Sequence, residues 1–355
     1  MEPILINGRF TTQNITGVQR FATELSSALV SGTSRRVSLL APHGAAPKAD
    51  TYQIGRAQGH LWEQWDLPRL RPPGILLNLG NTAPILARRQ VAVIHDCGVF
   101  STPEAYSAKF RLLYKAMHTA LIRRGTPIVT VSEFSKSEIL RHLPARPDQI
   151  SVMPEGADHV ARIGEDPSIL ARHGLAPGKF VLAVGTLSAH KNLAGLQSLA
   201  TCLAARNIPL VIVGQLGNQV FRADGTALLP HPAQYIGRVT DEALKSLYRA
   251  AACFVFPSKY EGFGLPVAEA MASHCPVVAA DIPALREIFG SAALFCNPHD
   301  PEHITATVIG VLDNPALQDQ LRERGQKCTA AMSWARAAST MVAIIDRIFP
   351  RQVHE

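Results

Sequence analysis

In SKYEGFGLPVAEAMASHCPVV, Ser258 to Val278, two acids, Glu261 and Glu269, stand around a glycine-rich turn just before an apolar segment. The residues immediately ahead, Cys253 to Phe256, form an uncharged apolar run, the pattern of a strand buried on both faces. Pro257 to Leu265 reads as a loop, and Pro266 suits the first position of a helix that continues through Glu269, Ala270, Met271 and Ala272. Val277 to Ala280 is the next strand candidate. Strand, loop, helix and strand in that order build a parallel sheet covered by helices.

That placement gives the two charges a use. In open parallel sheets ligands bind outside the carboxyl ends of the strands. A helix N-terminus offers N–H groups and a partial positive charge to a phosphate, and the glycines at 262 and 264 let a ligand approach the backbone. Glu269, expected in the first helical turn, can accept hydrogen bonds from a vicinal diol such as a ribose. The plainer reading is that an acid there complements the helix dipole.

The same alternation runs along the whole chain. In the front half the strand candidates are Ile4 to Ile6, Val37 to Leu40, Gly74 to Leu79, Gln90 to Ile94, Ile128 to Val131 and Ile150 to Met153. In the back half they are Phe180 to Val184, Leu210 to Val213, Ala233 to Ile236, Cys253 to Phe256, Val277 to Ala280 and Ala293 to Cys296. The stretch from Pro154 to Pro177, with Gly156, Gly164, Pro167 and Gly174, reads as the linker. The expectation is an α/β chain of two doubly wound domains facing a central cleft, residues 1–165 and 166–335. The last helical pattern, Trp334 to Phe349, continues into a terminal segment, 336–355, that packs back on the first domain.

Three further strand-to-helix junctions carry polar residues. VLAVGTLSAHKNLAGL (Val181 to Leu196) turns at Gly185 and places His190 and Lys191 ahead of a helix expected to start near Asn192 or Leu193, where a lysine can neutralise a diphosphate. VAVIHDCGVF ends a buried strand in His95 and Asp96; the histidine is either a polar contact or proton carrier, or a hydrogen-bonded core residue. NGRFTTQNITGVQRFATEL (Asn7 to Leu25) leads from the first strand through a loop to Gly17 and a helix bearing Arg20, another turn where an anion can approach.

Composition excludes several classes. At 355 residues, 47% hydrophobic and 18% charged, the chain can bury large cores. No apolar run approaches the roughly 18 residues of a membrane-spanning helix, and the start, MEPILINGRF, lacks a signal-peptide layout, so a cytoplasmic protein is expected. Six cysteines stand singly among apolar neighbours and are expected to be reduced and buried. Residues 1–160 hold 18 Lys and Arg against 12 Asp and Glu, and no acid occurs between Glu104 and Glu133. There Lys109, Arg111, Lys115, Arg123 and Arg124 share a helical pattern with Phe110, Leu113, Tyr114, Met117 and Leu121. This basic amphipathic helix, within 104–124, either packs on the core with a solvated face or docks on an anionic membrane at the inner face of the cell. No nucleic-acid motif accompanies the charge.

Taken together these residues resemble glycosyltransferase family 4, the retaining nucleotide-sugar transferases of GT-B fold that act in bacterial polysaccharide and lipopolysaccharide synthesis. EGFGLPVAEAMA matches the family's E-x7-E motif at Glu261 and Glu269. The similarity extends through GTLSAHKNL, YIGRVTDEALKSLYRAAACFVFPS and PVVAADIPALREIFGSAALFCNP, and in the front half through GVQRFATEL, VAVIHD and VTVSEFSKSEIL. The resemblance implies transfer of a hexose, with mannose from GDP-mannose as the family-weighted choice, to a hydroxyl of a glycan or lipid-linked acceptor. It implies catalytic roles for Glu261, His95 and Lys191. Donor binding would fall to Glu269, the turn Gly262, Phe263, Gly264 and Leu265, then Gly185, His190, Gly17 and Arg20; Asn81, Thr82 and Asp96 would meet the acceptor.

Two departures stand out: His190 where many relatives have arginine, and His274 where many have glycine; Thr186 also replaces an arginine of some relatives. No D-x-D occurs, so no cofactor and no metal are expected, with Lys191, helix N-termini and Arg20 stabilising the leaving diphosphate. Competing readings are a GT-B nucleotide-sugar epimerase, a catalytically inactive sugar-binding protein, and a dinucleotide oxidoreductase, the last disfavoured because no G-x-G-x-x-G follows a strand.

Overall fold

Short apolar runs that would be stranded on a half-exposed sheet are at home in two all-parallel sheets with both faces covered. The computed structural model describes residues 1–44, 51–214 and 229–350. They fall into two units, Met1–Gly156 with Ser333–Glu355, and Ala157–Met332.

In the first unit the strands are β1 (Ile4–Asn7), β2 (Val37–Ala41), β3 (Thr51–Gln53), β4 (Ile75–Asn78), β5 (Gln90–Val93), β6 (Ile128–Thr130) and β7 (Ile150–Val152). Their order is β3-β2-β1-β4-β5-β6-β7, with Ile4 beside both Val37 and Ile75. β3 is the strand the sequence does not announce: Thr51–Gln53 is a polar edge of three residues, half-buried to exposed, without alternation to read. The second unit holds β8 (Val181–Val184), β9 (Leu210–Val213), β10 (Gln234–Gly237), β11 (Cys253–Phe256), β12 (Val277–Ala280) and β13 (Leu294–Cys296) in the order β10-β9-β8-β11-β12-β13. Both orders reverse direction once, between β1 and β4 and between β8 and β11, and such switch points are where ligands sit in doubly wound sheets.

The expected linker is not a loose one. Its residues from Ala157 onwards form the short helices His159–Arg162 and Ser168–Arg172 and belong to the second unit, so the division falls at Gly156 rather than at 165. Lys245 Nζ donates to the Ile163 carbonyl at 2.6 Å and the Asp166 N–H to the Glu242 carbonyl at 3.2 Å, tying the segment to helix Asp241–Ala250.

Helix Trp334–Ile348 packs within the first unit against helix Gly17–Gly32, where Phe21 and Trp334 meet edge to face at 5.7 Å. Residues 351–355 of the expected terminal segment lie outside the described residues. Contrary to the expectation of no such run, Pro315–Ile348 is long and apolar enough for a membrane span by length and composition. It is two helices, Pro315–Ala330 and Trp334–Ile348, interrupted at 331–333, and the second buries Trp334, Ala337, Ala338, Met341, Ile344 and Ile345 in the protein. The six cysteines are free thiols, four of them buried; Cys202 and Cys328 are half-buried. Burial pushes the Cys253 and Cys296 thiols up to about 12, which leaves them uncharged and unreactive near neutrality.

Candidate active site

In the second unit, the loops that leave β8 and β11 at the switch point are sewn together by backbone groups. The His190 carbonyl accepts from the Lys259 N–H at 2.7 Å and from Ser258 Oγ at 3.1 Å. Asn192, in the left-handed region at φ 55°, turns its amide to donate to the carbonyls of Pro257 at 3.1 Å and Pro298 at 2.8 Å. Between these stitches Lys191 Nζ donates to Glu261 Oε1 at 2.6 Å, so two residues 70 positions apart in sequence form one ion pair. Nζ also lies 5.5 Å from the centre of the Phe256 ring, at the end of β11. His190 is half-buried in the same loop.

The helical segment beyond Lys191 starts at Leu193, as expected, but as a 3-10 turn, Leu193–Leu196, that runs into the α-helix Gln197–Ala205. Asn192, at positive φ, ends the preceding turn Ala189–Lys191 and caps this segment, so Lys191 stands just ahead of a helical start.

Helix Leu265–Ala272 is capped by Gly264 at φ 96°, where a Cβ would come 2.5 Å from Leu285 Cδ2. With Leu265 as the first residue, Glu269 is the fifth and lies in the second turn, not the first; the first turn carries no acid. The dipole reading of Glu269 weakens accordingly, because the effect fades beyond the first turn. Phe263 and Leu265 are buried, Phe263 edge to face with Phe289 at 6.2 Å. Their side chains anchor the turn, in which Gly262 and Gly264 are buried as well.

Glu269 has a partner that the sequence did not disclose. His159 Nε2 donates to Glu269 Oε1 at 3.1 Å from helix His159–Arg162. Tyr248 is buried beside them; burial and then the Glu269 charge hold its phenol well above its ordinary range. Also missed is Gly214, at the end of β9: at φ 154° it lies so close to Gly185 that a Cβ would stand 1.9 Å from the Gly185 carbonyl oxygen. The Gly185 N–H donates to Val213 O, and the Gly214 N–H to Gly237 O, both at 2.9 Å, so three glycines align at the ends of β8, β9 and β10. A glycine closing the apolar run Leu210 to Val213 was the signal available.

In the first unit the loop after β1 contains the exposed Gly17 at the start of helix Gly17–Gly32, with open space where its side chain would be. Arg20 Nη1 lies 3.7 Å from Glu24 Oε1 one turn along. Asn81, at φ 62°, accepts from the His95 N–H at 2.7 Å, and Asp96 Oδ1 accepts from the Gly98 N–H at 2.7 Å. Asp96 is half-buried.

His95 is buried with both ring nitrogens engaged by the protein. Nε2 donates to the Leu79 carbonyl at 3.0 Å and Nδ1 faces Glu155 Oε1 at 3.4 Å, while Phe21 meets the ring edge to face at 4.4 Å. Of the two readings of this residue, the geometry is that of a hydrogen-bonded core histidine. Burial works against its charge, but Glu155, the Leu79 carbonyl and Asp96 outweigh it and raise its pKa.

Thr82 departs from the acceptor role expected of it. It is 1% exposed, and its hydroxyl donates to Glu63 Oε1 at 2.7 Å while accepting from Arg9 Nη2 at 2.9 Å. Asn7 and Arg9 also bond Glu63, at 2.9 and 3.3 Å, and His60 Nδ1 lies 3.2 Å from its second oxygen. Burial alone would raise the Glu63 carboxyl, yet His60, Arg9, Thr82 and Asn7 hold it below its ordinary value. Arg9 and Glu63 thus brace the switch point of the first sheet.

The basic helix is Ala108–Arg123, and its buried face is Met117, His118, Leu121 and Ile122 alone. Phe110 and Leu113, which the core-packing reading would bury, are exposed, as is Leu112 at 73%. Phe110 stacks between Tyr106 at 5.4 Å and Tyr114 at 4.0 Å.

Comparison with known proteins places the chain in a family. Residues 168–328, which contain Gly185, Lys191, Glu261 and Glu269, match the family described as Glycosyl transferases group 1. The O-antigen chain mannosyltransferase B of Escherichia coli is 32% identical over 270 residues, 73% of this chain and 70% of that protein. The serotype-specific mannosyltransferase WbdA of Escherichia coli is 25% identical over 281 residues, and the match spans 73% of this chain but only about a third (34%) of that longer protein. Sucrose-phosphate synthase of Thermosynechococcus elongatus superposes with a TM-score of 0.72 over 98% of this chain and 99% of its own at 19% identity, a likeness of GT-B fold. The chain belongs to the group 1 glycosyl transferases and is a glycosyltransferase.

Proposed function

We propose that the chain moves mannose from GDP-mannose to a hydroxyl of a glycan or lipid-linked acceptor in cell-surface polysaccharide synthesis, with retention and without a metal. The observation that carries this reading is the Lys191–Glu261 pair at the β8/β11 switch point, with Glu269 eight residues further along the same segment, in the second turn of the helix that follows. Lys191 takes the donor diphosphate and neutralises it as it leaves; Glu261 lies beside the transferred sugar; Glu269 accepts from the ribose diol. A carboxylate bonded to a lysine is a poor nucleophile, which favours electrostatic stabilisation of an oxocarbenium-like centre by Glu261. The mannosyltransferases among the relatives support the choice of sugar and of polysaccharide synthesis.

Acceptor recognition falls to the first unit, through Asn81 and Asp96; the His95 N–H holds the Asn81 side chain rather than touching sugar. The same unit docks on anionic membrane. Among the described residues every exposed large hydrophobic side chain lies in this unit, and Phe110, Leu112 and Leu113 share one helix with Lys109 and Arg123. Replacing Leu112 and Leu113 with Asp should abolish binding to vesicles containing phosphatidylserine; undiminished binding would remove this part of the reading.

The test of the function is a thermal-shift screen of GDP, UDP, ADP and dTDP and their sugars, without metal, on wild type and Glu269→Ala, followed by product analysis with GDP-mannose with and without acceptor. A nucleotide that stabilises wild type by several degrees and loses most of its effect in the variant names the donor base. Conversion of the donor without acceptor would mark an epimerase instead.

A further inference from the structure

Resting on the reading of Glu269 as the ribose-diol acceptor, we propose that His159 is a positioning residue for the nucleotide, holding the Glu269 carboxylate in the orientation that grips the diol. A carboxylate only accepts, so the 3.1 Å contact requires the proton on His159 Nε2. The ring is 2% exposed, whereas the Glu269 side chain is 16% exposed. The histidine is therefore the more enclosed of the two and the glutamate side chain reaches the surface in part, which is the arrangement of a supporting group and the group it presents. A glutamate recruited merely to satisfy a buried histidine would be as buried as its partner.

His159 reaches this place because the segment after Gly156 is folded onto the second unit, with helix His159–Arg162 packed against helix Leu265–Ala272. A carboxylate offers about four acceptor positions, and His159 takes one of them. Fixing the rotamer of a long side chain before the ligand arrives spares the ordering cost on binding. Supporting groups of this kind are worth about tenfold to a hundredfold in affinity where they orient metal ligands, and a neutral diol contact should lie at the low end.

The experiment is calorimetric titration of GDP, UDP and ADP, each beside its 2′,3′-dideoxy counterpart, into wild type, His159→Leu, His159→Gln and Glu269→Ala. Leu fills the site without a donor, and Gln replaces Nε2–H with an amide N–H. The expected result is that His159→Leu weakens the ribonucleotide about tenfold, leaves the dideoxy compound unchanged, and is rescued to within about threefold by Gln. Equal weakening of both compounds would make His159 a structural residue and overturn the proposal. No effect of His159→Leu, with Glu269→Ala still erasing the preference for the diol, would overturn it while sparing the Glu269 reading. Loss of neither preference nor affinity in Glu269→Ala, or no binding of any nucleotide to wild type, would overturn both.

Discussion

Lys191 Nζ and Glu261 Oε1 stand 2.6 Å apart, an ion pair between side chains that are 20% and 12% exposed. A donor diphosphate that takes the lysine must compete with this carboxylate. Glu261→Gln should therefore bind nucleoside diphosphate as well as wild type or up to about fivefold tighter, the equivalent of about 1 kcal/mol. Its kcat should fall by at least about a hundredfold. Lys191→Ala should lose both, with affinity down at least about tenfold. Calorimetry and steady-state turnover on the same preparations decide it; weaker binding by Glu261→Gln would mean that the glutamate itself holds the nucleotide.

The pairing explains which parts of the site could be read from sequence. Glu261 and Lys191 lie in loops that follow apolar runs, Glu269 in the helix after one of them, and β9, β11 and β12 begin and end where their apolar runs say they should. His159 was hidden because a histidine among Gly156, Ala157 and Asp158 looks like a loop residue; only the docking of its segment gives it a partner. Arg9 and Glu63 were hidden for the reverse reason, since charges that satisfy one another in a core leave no local signature. The helix after Glu261 starts at Leu265, one residue before Pro266, because the positive-φ Gly264 sets the boundary, and the segment after the left-handed Asn192 opens as a 3-10 turn; neither angle is written in composition.

Gly214 should be the least replaceable glycine of the second sheet. Its Cβ would stand 1.9 Å from the Gly185 carbonyl oxygen, and backbone on both sides leaves nothing flexible to yield. Gly214→Ala should cost at least about 3 kcal/mol. Gly185→Ala is the contrast: its Cβ would meet Lys191 Cβ at an ordinary 3.6 Å, so stability should change by less than about 1 kcal/mol. Urea unfolding of the two variants reads the difference directly, and similar losses in both would mean that the close approach is not what requires glycine.

His274 occupies a backbone position that favours glycine. It sits at φ 62° just past helix Leu265–Ala272, where the His274 N–H bonds Met271 O and the Cys275 N–H bonds Ala270 O, both at 3.0 Å. A side chain in the left-handed region costs roughly 1–2 kcal/mol, partly offset because glycine also loosens the unfolded chain. His274→Gly should thus raise stability by about 0.5–1 kcal/mol, and His274→Ala, still strained, should not. Thermal unfolding of the pair checks it; a destabilised glycine variant would show that the imidazole makes a favourable contact outweighing the strain.

His95 should make stability fall as pH rises above neutrality. Burial opposes its charge, but Glu155 at 3.4 Å, the Leu79 carbonyl and Asp96 favour the imidazolium and raise the folded pKa above the ordinary value of 6.5. A group raised on folding contributes its stabilisation in full below its unfolded pKa and loses it as pH climbs through the folded one. The window therefore opens near pH 6.5 and extends upward, with a slope of at most about 1.4 kcal/mol per pH unit. His95→Gln keeps an amide donor for the Leu79 carbonyl but cannot titrate. Unfolding free energies measured from about pH 6 to about pH 8.5 should decline more steeply in wild type than in the variant. Parallel profiles would mean that His95 is neutral throughout and that Glu155 holds it only by its orientation.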